Sequence, residues 1–136
     1  MFKKLIFLSG FLLLANSFFA QAMQGPDGTA NVGYIKADGT VQDEALKVVG
    51  KIKKDGMVTG ANSVIIGYIK DDGTIQDETH KTVGHVGNEG IIKDGDQKTI
   101  GYIKIDGTVQ NQNNEIIGYA KNIPVKWAAV YFFFLF

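Results

Sequence analysis

An all-β fold closed into a ring is predicted for this chain from three observations. A seventeen-residue repeat runs without insertion or deletion, β-branched residues hold fixed columns of that repeat, and an acidic-Gly reversal signal sits inside every full unit. Gly33, Gly50, Gly67, Gly84, Gly101 and Gly118 are each seventeen residues apart. They divide the chain into five full units over residues 33–117 and a partial sixth over residues 118–121, followed by an apolar segment over residues 127–136.

Ahead of the repeats lies a leader. Lys3 and Lys4 precede an apolar run from Leu5 to Leu14, and Ala20-Gln21-Ala22 supplies the small-residue pattern of a cleavage site. Residues 1–22 therefore read as a secretory signal peptide cut after Ala22, leaving a single domain over residues 23–136 that is exported to the periplasm or beyond. The chain has no Cys, so neither a disulfide staple nor lipid attachment through a thiol is expected. All basic residues are Lys, and twelve of them face fourteen acidic residues once the leader is gone. With no basic block, nucleic acid is not an expected partner.

Each unit reads as a β-hairpin. Val32, Val49, Ile66, Val83, Ile100 and Ile117 precede the glycines, Ile35, Ile52, Ile69, Val86 and Ile103 lie two beyond them, and Val41, Val58, Ile75, Ile92 and Val109 lie eight beyond. Such residues suit a half-buried pleated surface. The pairs Asp38-Gly39, Asp55-Gly56, Asp72-Gly73, Glu89-Gly90 and Asp106-Gly107 mark the reversals. A two-residue loop would set Ile69 against Gln76, whereas a three-residue loop through Asp71-Asp72-Gly73 sets Ile69 against Ile75. A type I turn with Gly in the left-handed position and a bulge is therefore expected. Val83 and Val86 are three residues apart, so a bend or bulge at Gly84 is needed to turn both toward one core. Short hairpins cannot bury their own apolar faces, and an open row would leave exposed edges, which closure of the row removes.

The motif GYIKxDGTVQ, its five-fold repetition and the C-terminal stretch IPVKWAAVYFFF resemble the five-fold β-flower family of small exported bacterial proteins. The resemblance covers the mature chain and implies five pseudo-symmetric hairpins about a central axis; it brings no activity with it. Units two and four depart from the motif, with Lys51 and His85 where the others have Tyr34, Tyr68 and Tyr102.

The last element, residues 127–136, carries no charge and is too short to span a bilayer as a helix, which takes about 20 residues. Its continuous apolar character predicts a strand buried on both faces, packed against or threaded near the ring axis, with no substantial helix anywhere in the mature chain. Membrane contact and self-association are the alternatives. An outer-membrane barrel needs strands of about 9–11 residues with an apolar outer face, which these short, Lys- and Asp-rich hairpins do not offer.

Chemistry is sparse. Ser63 is the only Ser after the leader, and His80 and His85 are the only imidazoles. His80 falls in a turn where unit five has Asn114, and His85 replaces a repeated Tyr. No catalytic residue, metal site or cofactor is read from this pattern. Asp71-Asp72-Gly73-Thr74 is explained by turn chemistry, since a helix-flanked calcium loop has no place among these strands. Tyr34, Tyr68, Tyr102 and Tyr119 are the candidate ligand-stacking residues, for glycans, peptides or an envelope protein; the competing reading is that the rings simply cover the core. The expected function is that of an exported, non-enzymatic binding or scaffold module. The alternative is an envelope-associated assembly protein that uses its aromatic C-terminal segment.

Overall fold

A computed structural model describes residues 20–134. Most of the expected leader, and the last two residues of the C-terminal segment, lie outside the described residues. Twelve strands follow in order: β1 (Gln21–Gln24), β2 (Asn31–Ile35), β3 (Thr40–Asp43), β4 (Val48–Ile52), β5 (Met57–Gly60), β6 (Ile65–Ile69), β7 (Thr74–Asp77), β8 (Thr82–Val86), β9 (Ile91–Asp94), β10 (Thr99–Ile103), β11 (Thr108–Asn111) and β12 (Ile116–Tyr119). Each pairs antiparallel with its neighbours in sequence, and β1 pairs with β12, which closes the barrel.

The turns form as their residues dictate. Ile69 faces Ile75 across β6 and β7. Gly73 N–H donates to Lys70 O at 3.0 Å, Lys70 N–H donates to Thr74 O at 2.8 Å, and Asp72 Oδ1 accepts the Thr74 amide at 2.9 Å. Gly73 has φ +93°. That conformation suits Gly, and a Cβ there would also run into the Val86 carbonyl, so the position excludes other residues twice over. The second reversal in each full unit follows the same plan with a different residue in the left-handed position: Leu46, Ser63, His80, Gln97 and Asn114 all have positive φ.

The register slips by one residue at each repeated Gly. Val41 faces Gly50 while Gln42 faces Val48, which leaves Val49 as the extra residue, and Val32, Ile66, Val83, Ile100 and Ile117 occupy the same place. The bulge lets these residues join the core together with the buried Val86 and its equivalents, as the three-residue spacing requires.

Two buried rings line the bore. One consists of Ile35, Ile52, Ile69, Val86, Ile103 and Ala120; the other of Met23, Val41, Val58, Ile75, Ile92 and Val109. Ala120 and Met23 complete these rings because β12 and β1 together supply the place of a further hairpin. Gln24 faces Tyr119 just as Gln42 faces Tyr34. Residues 118–121 are thus half of a unit whose other half is the start of the described chain.

The expectation of a C-terminal strand, and of a mature chain without helix, is overturned. Residues Val125–Ala129 form a helix, α1, which continues over Val130–Phe134 with the wider winding of a π-helix. Ala128, Ala129 and Val130 are fully buried. The physical reason lies in the closure itself. Every strand of the ring already has two partners, so a segment in the bore meets no free edge and must satisfy its amides internally. Its burial was foreseeable from composition, its conformation only from the closed ring.

Candidate functional site: the outer belt and the seated aromatic segment

From the repeated Gly onward along each strand that carries it, side chains alternate between bore and exterior. Gly33 and Ile35 are buried while Tyr34 between them is partly exposed, and the same holds for Tyr68, Tyr102 and Tyr119. These rings therefore lie on the outer wall and do not cover the core. Tyr34, Tyr68 and Tyr102 face Gln42, Gln76 and Gln110 across their hairpins, and Tyr119 faces Gln24. The structure does not gather the four into one pocket. It spaces them around a belt in which Lys51 and His85 take the remaining two places.

Local partners differ between units. Asn31 Nδ2 donates to Tyr34 Oη at 3.2 Å. Tyr68 stacks on His80, with ring centroids 4.3 Å apart and planes 15° from parallel. His85 extends along the outer wall, with Nε2 3.0 Å from Asp72 O. Where units three and four meet, the outer wall forms an open cavity of about 350 Å³ lined by Thr74, Thr82, Gly84, His85, Lys93, Asp94, Gly95 and Gln97.

Inside, the aromatic segment makes use of the repeated glycines. A Cβ on Gly33 would lie 2.6 Å from Tyr131 Oη, and one on Gly118 would lie 2.6 Å from the Phe132 ring. Cβ atoms on Gly101 and Gly84 would likewise collide with the rings of Phe133 and Phe134. Four consecutive residues thus address four consecutive positions of the ring, in the order Gly33, Gly118, Gly101, Gly84. An α-helix turns by about 100° per residue, far more than the one-sixth turn between neighbouring places in this ring. Wider winding reduces the step, which accounts for the π-type geometry at this end of the helix. Tyr131 Oη donates to Val32 O at 3.0 Å. Burial foremost, then the charges of Glu44 and Asp43, raise the Tyr131 pKa above its ordinary value.

At the other end, where the Asp-Gly turns gather, Lys126 Nζ donates to Asp71 O at 2.8 Å and fixes the mouth of the helix to unit three. Among the described residues, no group of three or more His, Asp or Glu side chains is placed to hold a metal ion, and no helix is long and apolar enough to cross a membrane.

Sequence reasoning missed the role of the glycines as ring seats, the Tyr68–His80 stack and the anchoring of Tyr131. The first left a signal: six glycines in one column and an uninterrupted aromatic run in one chain. The other two depend on side chains brought together from different units.

Among known families, the model described as 5-fold beta-flower protein matches residues 21–136. No curated protein and no solved structure matches the chain.

Proposed function

Because this chain belongs to the 5-fold beta-flower family, whose matched region spans the whole described barrel, we propose that it is an exported, non-enzymatic binding or scaffold module that works from its outer wall. One observation carries the reading. The bore is filled by the protein's own side chains, with Ala128, Ala129 and Val130 fully buried, so a ligand meets the exterior, where aromatic and amide side chains recur around the belt. Five register-matched hairpins and a split closing unit present that belt pseudo-symmetrically. Glycans and extended peptides, which stack on exposed rings and bond to amides, are the ligand classes that such a surface suits.

Export rests on the leader. A cut after Ala22 removes the residues that face Ile35 and Tyr34 but keeps Met23, which is fully buried in the ring it shares with Val41, Val58, Ile75, Ile92 and Val109. Mass spectrometry of the protein from the cell envelope tests this reading, with a mature chain beginning at Met23 as the expected result. Titration of glycan and peptide panels against the mature chain tests the belt. Binding that weakens when Tyr34, Tyr102 and Tyr119 are changed to Ala supports it, and a chain whose only interaction is sedimentation with membranes through residues 127–136 overturns it.

A further inference from the structure

The wall contains the same outer groove in successive units, and the protein fills it in unit three. There Tyr68 on β6 stacks on His80 from the turn after β7. Seventeen residues on, Tyr68 is replaced by His85, Glu78 by Gly95 and His80 by Gln97, while Gln76 is replaced by Lys93. The first three changes remove ring area or side-chain bulk from the groove. His85 is also drawn toward the Asp-Gly turn end by its contact with Asp72 O at 3.0 Å. A cavity of about 350 Å³ results, within the range of about 300–1,000 Å³ typical of small-molecule sites.

The groups around it define the chemistry. Asp94 is committed to its own turn, since Oδ1 accepts the amides of Asp96 at 2.9 Å and Lys98 at 3.0 Å. Thr74 and Thr82 bring hydroxyls, Gln97 an amide and Lys93 an ammonium to the walls. Lys93 stands where units one, three and five have Gln42, Gln76 and Gln110 and unit two has Thr59, so a positive charge in this column is particular to unit four. A space that holds a flat ring pair in the neighbouring unit, lined by hydroxyls, one ammonium and a carboxylate already engaged by two backbone amides, fits a six-membered ring whose carboxylate reaches the ammonium.

We propose that the unit-four groove binds a uronic acid, with the sugar ring in the place of the missing tyrosine ring, its carboxylate on Lys93 and its hydroxyls on Thr74, Thr82 and Gln97. This deepens the binding-module reading and rests on it.

The test is a titration of the isotopically labelled mature chain by amide NMR with glucuronate, glucose and benzoate as probes. Glucuronate is expected to shift the signals of Thr82, His85, Lys93 and Gln97, with glucose at least about tenfold weaker. Lys93→Gln should weaken glucuronate by about tenfold, the size of a lost charge-assisted contact. His85→Tyr should abolish binding by restoring the ring that other units carry. Both variants reproduce residues found elsewhere in the repeat, so their melting temperatures should match the parent. Opening unit three with Tyr68→His, Gln76→Lys, Glu78→Gly and His80→Gln, together with Met57→Thr and Ile65→Thr to supply the two hydroxyls, should create a second site. Benzoate binding more tightly than glucuronate would overturn the sugar assignment. Glucuronate shifts that centre on Tyr34 and Tyr102 and survive His85→Tyr would overturn the groove while leaving the belt as a binding surface. No response to these probes, with glycan or peptide panels still binding the belt, would overturn the groove alone; silence from the panels too would remove both readings.

Discussion

The wall and the segment that fills it are built on opposite plans. The wall repeats seventeen residues, and each unit solves the same local problem with the same turn, bulge and columns. The filling segment, Val125–Phe134, uses each residue once, and consecutive rings meet different units of the wall. A repeated structure advertises its conformation, because hairpin loops and alternating columns are short-range signals. A segment enclosed by that structure takes the conformation its container permits. One column serves both plans: the inward glycines mark the bulges of the wall and leave room for the rings of the segment.

Removing the segment is the strongest way to break this comparison. Deleting Trp127 to Phe136 takes the fully buried Ala128, Ala129 and Val130 and at least four partly buried aromatic side chains out of the bore. Large side chains contribute about 1.5–3 kcal/mol each when fully buried, against a total stability of about 5–15 kcal/mol for a domain. The expected outcome is loss of cooperative melting by circular dichroism and aggregation on size exclusion. A stable, soluble monomer would show instead that the wall holds itself open.

Much of the wall was legible in advance. The three-residue Asp-Gly loop followed from requiring Ile69 to face Ile75, and the bulge from requiring Val83 and Val86 to share a core. The closing pair β1 and β12 was not legible, because β1 lies in Gln21–Gln24, where the cleavage pattern and the strand share residues and no Gly-Tyr motif marks it. Nor was the helix, since an apolar run carries no periodicity from which a buried strand and a buried helix can be told apart. The belt positions Tyr34, Tyr68, Tyr102 and Tyr119 were found by column. The Tyr68–His80 stack was not, because the two residues occupy different columns of the repeat.

The interface between wall and segment is probed next. Gly101→Ala puts a methyl into the Phe133 ring and 2.5 Å from Gln110 O, which should destabilise by about 1–3 kcal/mol through overpacking. Tyr102→Ala, one residue along but outside, should cost less. Combining Gly101→Ala with Phe133→Leu should recover part of the loss, and the coupling energy from the double-mutant cycle measures the seat directly. Additive effects would mean that ring and glycine do not meet.

Titration separates the two regions by pH. In the wall, the amides of Thr40, Thr74 and Thr108 chiefly hold Asp38, Asp72 and Asp106 below the ordinary value of 3.8. Their folded values lie below the unfolded one, so their contribution is present above about pH 4 and is lost as pH falls through the folded values. In the segment, burial chiefly raises Tyr131 above 10.0. Its contribution is present below the unfolded value and is lost as pH rises through the folded one. Melting temperature should therefore fall at both extremes. Tyr131→Phe should flatten the contribution of this group to the alkaline limb while leaving the acid limb in place.

The smallest effect lies in a single turn and asks how faithfully the wall follows its own plan. The second reversal of each full unit needs a residue with positive φ, and Asn114 at φ 63° in unit five is well suited, since Asn tolerates the left-handed region. Unit one places Leu46 there at φ 67°, with more than half of its surface exposed at 58%. The left-handed conformation costs an ordinary residue about 1–2 kcal/mol, and the exposed side chain has little burial to offset it. Leu46→Asn should therefore raise stability by a few tenths to about 1 kcal/mol, read as a small upward shift in melting temperature. The hydrogen bonds of the Leu46 backbone, its N–H to Asp43 O at 3.0 Å and its carbonyl accepting from the Gln42 side-chain Nε2 at 3.0 Å, do not depend on the Leu46 side chain and should persist. A drop in stability would instead assign the Leu46 side chain a packing role on the outer wall, and with it a reason for unit one to depart from the repeat.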